Sequence, residues 1–279
     1  EALAWASNLD WGFEKHPPLS AFFSEIFYQI FGSQDWAYYL LSQIFIIFSF
    51  VIIFKLAKEF LKNEIHALLS VLLLEGIYFY NFTTPEFNVN VCQIPFWTLT
   101  VYYFWQCLKT DKVHNWILMG LFAALGVLSK YLFIYLLIGI VVFFILRLKK
   151  LKKFNYKYFI PILVFLLVLT PHFIWLAENE FKTVIYGLKR TSLEDSNFLN
   201  HLLYPLEFIL KQILILIPFF GLLFLIVSKV KVRLNFNDEK LVYLMSVTLL
   251  PILVMILTSI ILGANIRTMW MTPFYLFFG

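Results

Sequence analysis

The stretch AYYLLSQIFIIFSFVIIFK at residues 37–55 decides the fold class, because it runs for nineteen residues with no charge before Lys55. A helix that crosses the hydrocarbon core of a bilayer needs about 20 mostly apolar residues. The sequence therefore predicts an all-α polytopic membrane bundle of about eight to nine crossings. The other apolar stretches lie at 65–82, 91–108, 116–129, 132–147, 158–177, 204–228 and 241–262, and a ninth begins near residue 269.

The composition agrees with a membrane protein and excludes a water-soluble globule. Hydrophobic residues make up 61% of the 279 residues and charged residues only 14%, whereas soluble domains carry roughly 25% charged residues. No linker, repeat or low-complexity tract divides the chain, so residues 1–279 are expected to form one domain. The chain begins at Glu1 rather than Met and stops inside an apolar run, so we expect a fragment that is truncated at both ends.

The distribution of Lys and Arg predicts the orientation of the chain, since cytoplasmic loops carry an excess of both. With residues 1–36 placed outside as a first external loop and the crossings alternating, fifteen Lys and Arg lie inside and seven lie outside. The formal net charge of +5 follows this topology and requires no nucleic acid as a partner. We therefore expect a multi-pass protein of the inner (plasma) membrane whose active face is extracytoplasmic.

Residues 116–147 could form one long crossing or two short ones on either side of Lys130. One crossing would invert all later segments and place the basic residues of 147–157 outside, against the rule for basic residues. Two crossings keep those residues inside, although the first would span only ~21 Å at 1.5 Å per residue. We therefore predict two crossings, with Lys130 at the outer end of the first.

Residues 17–33 have the pattern of an amphipathic helix rather than a crossing. Pro17 and Pro18 open it and Gly32 closes it. Ser20, Ser24, Glu25 and Gln29 oppose the apolar side. Such a helix is expected to lie on the outer membrane surface. Its apolar residues recur at helical spacing: Leu19, Phe22, Phe23, Ile26, Phe27, Ile30 and Phe31.

The charged residues that this topology places outside mix carboxylates with cations near the ends of crossings. A charged side chain in such a position is unfavourable unless it is paired or solvated. A mixture of carboxylates and cations at a membrane surface suits a reaction on a lipid phosphate. Cations would hold the phosphate while a carboxylate takes a proton from an acceptor hydroxyl. The sequence has no Walker loop, Rossmann glycine pattern, HExxH or CxxC motif, which weakens readings based on ATP-driven transport or zinc proteolysis.

Two segments resemble the family 39 glycosyltransferases. EALAW at residues 1–5, followed by LDWGFEKHPPL at 9–19, is similar to the first external loop of that family, and the segment from Trp116 through LSKY at 128–131 is similar to a later one. These enzymes are protein-mannosyltransferase-like, include the bacterial aminoarabinose transferases and have the GT-C fold. The resemblance implies transfer of a sugar from a polyprenyl-phosphate-linked donor, with no nucleic-acid partner.

The resemblance also implies roles for individual residues. Glu1 would be the second residue of the family's catalytic Asp-Glu pair, and Glu14 lies beside the second acidic position, which Lys15 occupies here. His16 and Lys130 match positions that contact the lipid phosphate. The remaining candidates for substrate binding are Tyr131, Arg190 and Arg267, together with Lys15. No cofactor is certain, and whether a divalent metal takes part stays open.

These observations predict a glycosyltransferase whose acceptor is lipid A, another glycolipid, a polysaccharide or a protein. A transporter or lipid flippase is the alternative from another class, but transporters favour sites at the bilayer midplane, and only Glu75 indicates one here. A third alternative is an inactive relative that only binds polyprenyl phosphate, because Lys15 replaces an acidic residue.

Overall fold

A computed structural model describes residues 2–151, 155–191, 197–227 and 235–279, and within these ranges all regular structure is helical. Five helical segments are long and apolar enough to cross a membrane, and shorter apolar helices accompany them. The chain is therefore a polytopic helical membrane protein, as predicted. The α-helices, numbered in chain order, are α1 Ala2–Ala6, α2 Leu19–Phe31, α3 Asp35–Phe60, α4 Glu64–Leu72, α5 Tyr78–Asn81, α6 Val89–Thr110, α7 Val113–Ser129, α8 Ile134–Leu151, α9 Ile160–Glu178, α10 Lys182–Lys189, α11 Asn200–Val227 and α12 Glu239–Leu262.

One end of the bundle gathers basic residues that the sequence assigned to the inner side, and we call it the ion-pair end. The helix termini there are joined by Lys109–Glu59 at 2.5 Å, Arg147–Glu239 at 2.8 Å and Lys157–Asp111 at 2.7 Å. These pairs join the last turns of α3, α6 and α8 to the starts of α9 and α12. Because Lys157 pairs with Asp111, the pKa of that carboxyl lies below its usual value.

The opposite end, the Lys130 end, is held by contacts between the other termini of the same helices. Tyr131 and His172 form a hydrogen bond of 2.8 Å between the start of the segment that leads into α8 and the last turns of α9. A ring nitrogen of His201 at the start of α11 lies 2.8 Å from the carbonyl oxygen of Ile260 in α12. Successive segments thus run in alternating directions between the two ends, as the distribution of basic residues predicted.

The chain turns back at Lys130, which confirms the prediction of two segments in residues 116–147. Lys130 has extended backbone angles of φ −165° and ψ 134° between α7 and a short 3-10 helix at Tyr131–Phe133. Gly126 makes the turn possible, since a Cβ atom there would lie 2.1 Å from the Phe133 ring. Trp116 at the start of α7 lies against Phe144 near the end of α8, so the two helices are antiparallel.

Two predicted crossings differ from the observed structure. Residues 65–82 are not one helix: α4 gives way to a 3-10 helix at Leu73–Gly76 and then to α5, with Ile77 extended between them. Gly76 lies directly against the backbone of Phe219 in α11, and this close approach coincides with the break. The predicted ninth helix is not observed either, because the segment after α12 is a 3-10 helix at Thr268–Met271 followed by turns.

That turn-rich segment, residues 268–276, fills the middle of the bundle instead of crossing it. Phe274 lies 5.0 Å from Trp97 of α6, measured between ring centroids. Tyr275 donates a hydrogen bond of 2.8 Å to Gln212 of α11. Tyr80 donates one of 2.8 Å to the carbonyl oxygen of Thr272. The aromatic rings of this non-helical segment fill the space between α5, α6 and α11, and their packing stabilises it there.

The amphipathic helix is present as α2, and Gly32 ends it with a positive φ of 69°. Ser20 and Ser24 of its polar side are buried, as is Leu19 of its apolar side, whereas Ile26 of the apolar side is exposed. Small side chains allow close approach between helices, and Ser24 satisfies its hydroxyl by donating to the Ser20 carbonyl oxygen at 2.9 Å.

Candidate functional site

The loop between α1 and α2, residues 7–18, is fixed against the last turns of α9 and the start of α10. Trp175 of α9 donates its indole N–H to a carboxylate oxygen of Asp10 at 2.6 Å. Thr183 of α10 donates to the carbonyl oxygen of Phe13 at 2.5 Å. Gly12 lies flat on the Trp175 ring, where a Cβ atom would come within 2.3 Å of a ring carbon. The loop therefore has a fixed conformation and packs against the helix bundle.

A hydrogen-bonded relay connects this loop to the turn at Lys130. His172 lies between the two, with Nε2 at 2.8 Å from the Tyr131 hydroxyl and Nδ1 at 2.6 Å from the carbonyl oxygen of Trp11. The imidazole is buried, and both of its nitrogens have partners. Its contacts are those of a positioning residue, and they bring the predicted candidate Tyr131 next to the first loop.

Lys130 is the most unusual side chain of the Lys130 end. It is only 6% exposed. Its ammonium donates to the side-chain oxygen of Asn90 and lies 5.6 Å from the centre of the Trp270 ring. In the described ranges no carboxylate lies within ion-pair distance of it. Burying an ammonium without a counter-charge is unfavourable, so this position is poised to accept an anion.

The surroundings of Lys130 lower its affinity for a proton. Burial lowers the pKa of its ammonium to about 7, and the nearby positive charge of Arg190 contributes in the same direction. Arg190 follows α10, is partly buried, and donates to the hydroxyl of Tyr186 while its guanidinium lies 5.6 Å from the centre of that ring. The structure thus brings together two of the predicted cations, Lys130 and Arg190.

A cleft of about 610 Å³ separates the first loop from α10 and contains the predicted candidate Glu14. Asp10 also lines it, with its carboxylate held by Trp175 and by the backbone N–H of Trp11 at 2.7 Å. Lys182 and Lys189 line the opposite side. The cleft therefore offers both carboxylates and ammonium groups to a bound substrate.

The remaining predicted residues are spread around this end. His16 lies edge-on to Trp5 with ring centroids 5.7 Å apart, and its backbone oxygen accepts a bond from Phe13. Lys15 is half-buried beside it. Arg267 is exposed and makes no ion pair within the described ranges. Glu1 lies outside the described residues.

Three residues near the site were not among the predicted candidates. Asp10 anchors the loop, while Asn90 and Trp270 surround the ammonium of Lys130. A signal for Asn90 was present, because it opens α6 two residues after the capping Asn88 in an otherwise apolar segment. Trp270 could not be found from the sequence, since it lies 140 positions from Lys130 and belongs to a segment that was expected to cross the membrane.

Metal binding was left open by the sequence. Within the ranges that the structure describes, no three His, Cys, Asp or Glu side chains come together in a way that could hold a metal ion. The carboxylates that line the cleft, Asp10, Glu14 and Glu180, lie with Lys182 and Lys189.

Comparison with known proteins gives one positive result. The family model described as dolichyl-phosphate-mannose-protein mannosyltransferase matches residues 15–175, which is more than half of the chain. The matched region begins at Lys15 and contains His16, Lys130 and Tyr131. No curated protein and no solved structure matches the chain significantly.

Proposed function

The chain belongs to the dolichyl-phosphate-mannose-protein mannosyltransferase family and is thus a membrane glycosyltransferase that uses a polyprenyl-phosphate-linked sugar donor. From this we propose that the Lys130 end is its active face and that this end lies outside the cytoplasm. The basic residues of the ion-pair end support this orientation, since such residues favour the cytoplasmic side. We further propose a GT-C-like bundle in which eight segments cross the membrane, namely α3, the broken segment 64–81, α6, α7, α8, α9, α11 and α12.

The observation that carries the proposal is the buried ammonium of Lys130 with no carboxylate partner in the described ranges. A lipid phosphate would supply the missing negative charge. The positive charge of Arg190 acts on Lys130 and would also attract an anion bound there, and His16 and Lys15 belong to the first loop. We assign Lys130, Arg190, His16 and Lys15 to the binding of the donor, and we assign Tyr131 and Arg267 to the edge of the same site.

The reaction then needs a base and a stabilised leaving group. The acceptor hydroxyl attacks the anomeric carbon of the sugar from the face opposite the phosphate, the carbon–oxygen bond to the phosphate breaks, and the configuration inverts. A carboxylate takes the hydroxyl proton, and by family resemblance this is the role of the Asp-Glu pair whose second residue is Glu1, with Glu14 in the adjoining loop. The leaving polyprenyl phosphate gains a negative charge, which Lys130 and Arg190 offset.

Sugar transfer from a radiolabelled polyprenyl-phosphate mannose tests this function with the protein in lipid nanodiscs, and mannotriose and a Ser/Thr-rich peptide are supplied as hydroxyl acceptors. We expect a labelled acceptor and release of polyprenyl phosphate, and loss of both in the Glu1→Gln variant while the donor still binds. Binding of the donor without release in the wild-type protein would identify an inactive lipid-binding relative. Transport of the donor across a vesicle membrane without chemical change would support the flippase alternative and contradict the proposal.

Donor affinity should fall as the pH rises above about 7. The ammonium must be protonated to pair with the donor phosphodiester, whose own charge is constant from pH 6 to 9. Since the pKa of Lys130 is lowered to about 7 in the free protein, the bound state takes up a proton above that pH, and the donor Kd should rise about tenfold per pH unit. Titration of donor binding between pH 6 and 8.5 measures the effect.

The Lys130→Arg variant is the control for this pH dependence, because a guanidinium stays protonated throughout the range. Its donor Kd should be nearly constant between pH 6 and 8.5. An equally steep pH dependence in this variant would show that another group titrates.

A further inference from the structure

A second pocket, of about 620 Å³, lies at the Lys130 end between α1, α2 and the first turn of α3. The site described above does not use it. Its volume is in the range typical of small-molecule sites and is sufficient for a few sugar rings. We call it the α1–α3 pocket.

The position of the α1–α3 pocket relates it to the reaction through α1. One side of this short helix carries Trp5, which stacks on Phe13 at 5.3 Å and contacts His16 in the donor-side loop. Leu3 and Ala6 of the same helix line the pocket. The pocket therefore lies across α1 from the donor-side loop, and Glu1, which by resemblance belongs to the catalytic Asp-Glu pair, directly precedes this helix in the sequence. An acceptor must bind beside the donor, so that its hydroxyl can reach the anomeric carbon of the sugar.

The charge of the pocket is opposite to that of the donor site. Glu25 and Asp35 line it, and the described lining includes no Lys, Arg or His. The carboxylate of Glu86 lies near the hydroxyl of Tyr38, which also faces the pocket. Such surroundings repel phosphate and other anions, and they exclude an acceptor that would insert a phosphorylated head group here.

The polar groups of the pocket are those that bind sugar hydroxyls. Carboxylates accept strong hydrogen bonds from hydroxyl donors, and Ser33 and Gln34 add groups that both donate and accept. Tyr28 and Tyr39 line the pocket and are 48% and 46% exposed, which leaves ring surface on which a sugar ring can lie. Residues of α1, α2 and the first turn of α3 line the space together.

We propose that the α1–α3 pocket binds the acceptor, and that this acceptor is an uncharged glycan. The inference rests on the proposed function and specifies its acceptor class. Glu25 and Asp35 bind hydroxyls of the glycan end, and the reacting hydroxyl points across α1 toward the donor.

Binding of a neutral glycan, measured without turnover, tests this inference. Maltotriose and mannotriose are the probes, with phosphorylated maltotriose and a Ser/Thr-rich peptide as competitors, and calorimetry on the nanodisc protein gives the Kd. We expect a neutral trisaccharide to bind at least tenfold more tightly than the phosphorylated one or the peptide. Tighter binding of the peptide or of the phosphorylated glycan would overturn the proposal.

Variants of the pocket locate the binding. Glu25→Gln and Asp35→Asn should each raise the trisaccharide Kd about tenfold while leaving the donor Kd unchanged, and Glu64→Gln at the ion-pair end should leave both unchanged. Ser33→Lys places a cation at the exposed rim and should reverse the preference toward the phosphorylated glycan. Unchanged trisaccharide binding in all three pocket variants would contradict the assignment.

The two proposals fail in different ways. If the enzyme does not release polyprenyl phosphate but trisaccharide binding responds to Glu25 and Asp35, the proposed function fails, and the pocket is a glycan site that is not an acceptor site. If release occurs but the pocket variants behave like the wild type, the acceptor lies elsewhere.

Discussion

Replacing Lys130 by Met lowers kcat/KM for the polyprenyl-phosphate sugar donor about 100-fold, because the variant lacks the buried charge that meets the donor phosphate. Loss of one preorganised electrostatic contact in an active site typically costs 10²–10³ in rate. Steady-state release of polyprenyl phosphate from nanodisc-embedded protein measures the effect. The same substitution should not unfold the bundle, since it removes an unpaired buried ammonium and keeps an unbranched apolar side chain of similar length.

Lys112→Met is the matched control, because Lys112 is exposed directly before α7 at the opposite end of the same helix. It should retain wild-type kcat/KM. A thermal unfolding scan of both variants separates catalysis from folding: we expect the Lys130 variant to melt at or above the wild-type temperature. A Lys130 variant that is both inactive and several degrees less stable would indicate a structural role for the lysine and count against the phosphate site.

The second large effect is on folding. Gly126→Ala should destabilise the protein by about 1–3 kcal/mol, as is typical of overpacked cores. Its new Cβ atom would lie 2.1 Å from a carbon of Phe133. That ring is fully buried and rests on Trp97 at 5.3 Å between centroids, so it has no free space to move into. Thermal unfolding in detergent should show a lower melting temperature, and the donor site beside Lys130 should lose affinity with it.

Two comparisons make this prediction specific. Gly221→Ala in α11 is the control, since a Cβ atom there meets nothing within 4 Å, and its melting temperature should equal that of the wild type or exceed it slightly. Adding Phe133→Ala to Gly126→Ala removes the clash, so the double variant should be no less stable than Phe133→Ala alone. Strictly additive losses would mean that Gly126 matters for a reason other than its contact with Phe133.

The sequence predicted the parts of the fold that follow from apolar length and from the positions of basic residues. The turn at Lys130 was predicted correctly, because one long crossing would have reversed every later segment. The break around Ile77 and the irregular turns of residues 268–276 were not predicted. The local composition is apolar in both places. The break at Ile77 coincides with a contact to α11, and the turns of residues 268–276 contact α6 and α11, and these helices are distant in the sequence. Phe274 and Tyr275 have the same hydropathy whether they face lipid or the interior of the bundle, so hydropathy alone does not distinguish a crossing helix from an irregular buried segment.

The roles of the candidate residues stay predictions, but some of their neighbours are now known. The positive charge of Arg190 acts on Lys130, and Tyr131 is linked to the first loop through His172. Arg267 makes no ion pair within the described ranges, and Glu14 lines the cleft beside α10. Asp10 was not selected because its role depends on the indole of Trp175, 165 positions away, and no local pattern encodes such a contact.

The late position of residues 268–276 in the chain has a consequence for biogenesis. This segment covers Trp97, receives the hydrogen bond of Tyr80 and contributes Trp270 to the surroundings of Lys130, yet the ribosome makes it after all twelve α-helices. Until it emerges, the inserted helices have an uncovered seam along α6 and a cation without its aromatic neighbour. The nascent protein must therefore pass through an inserted intermediate in which this seam is uncovered, and we expect donor binding only after residues 268–276 have packed against α6.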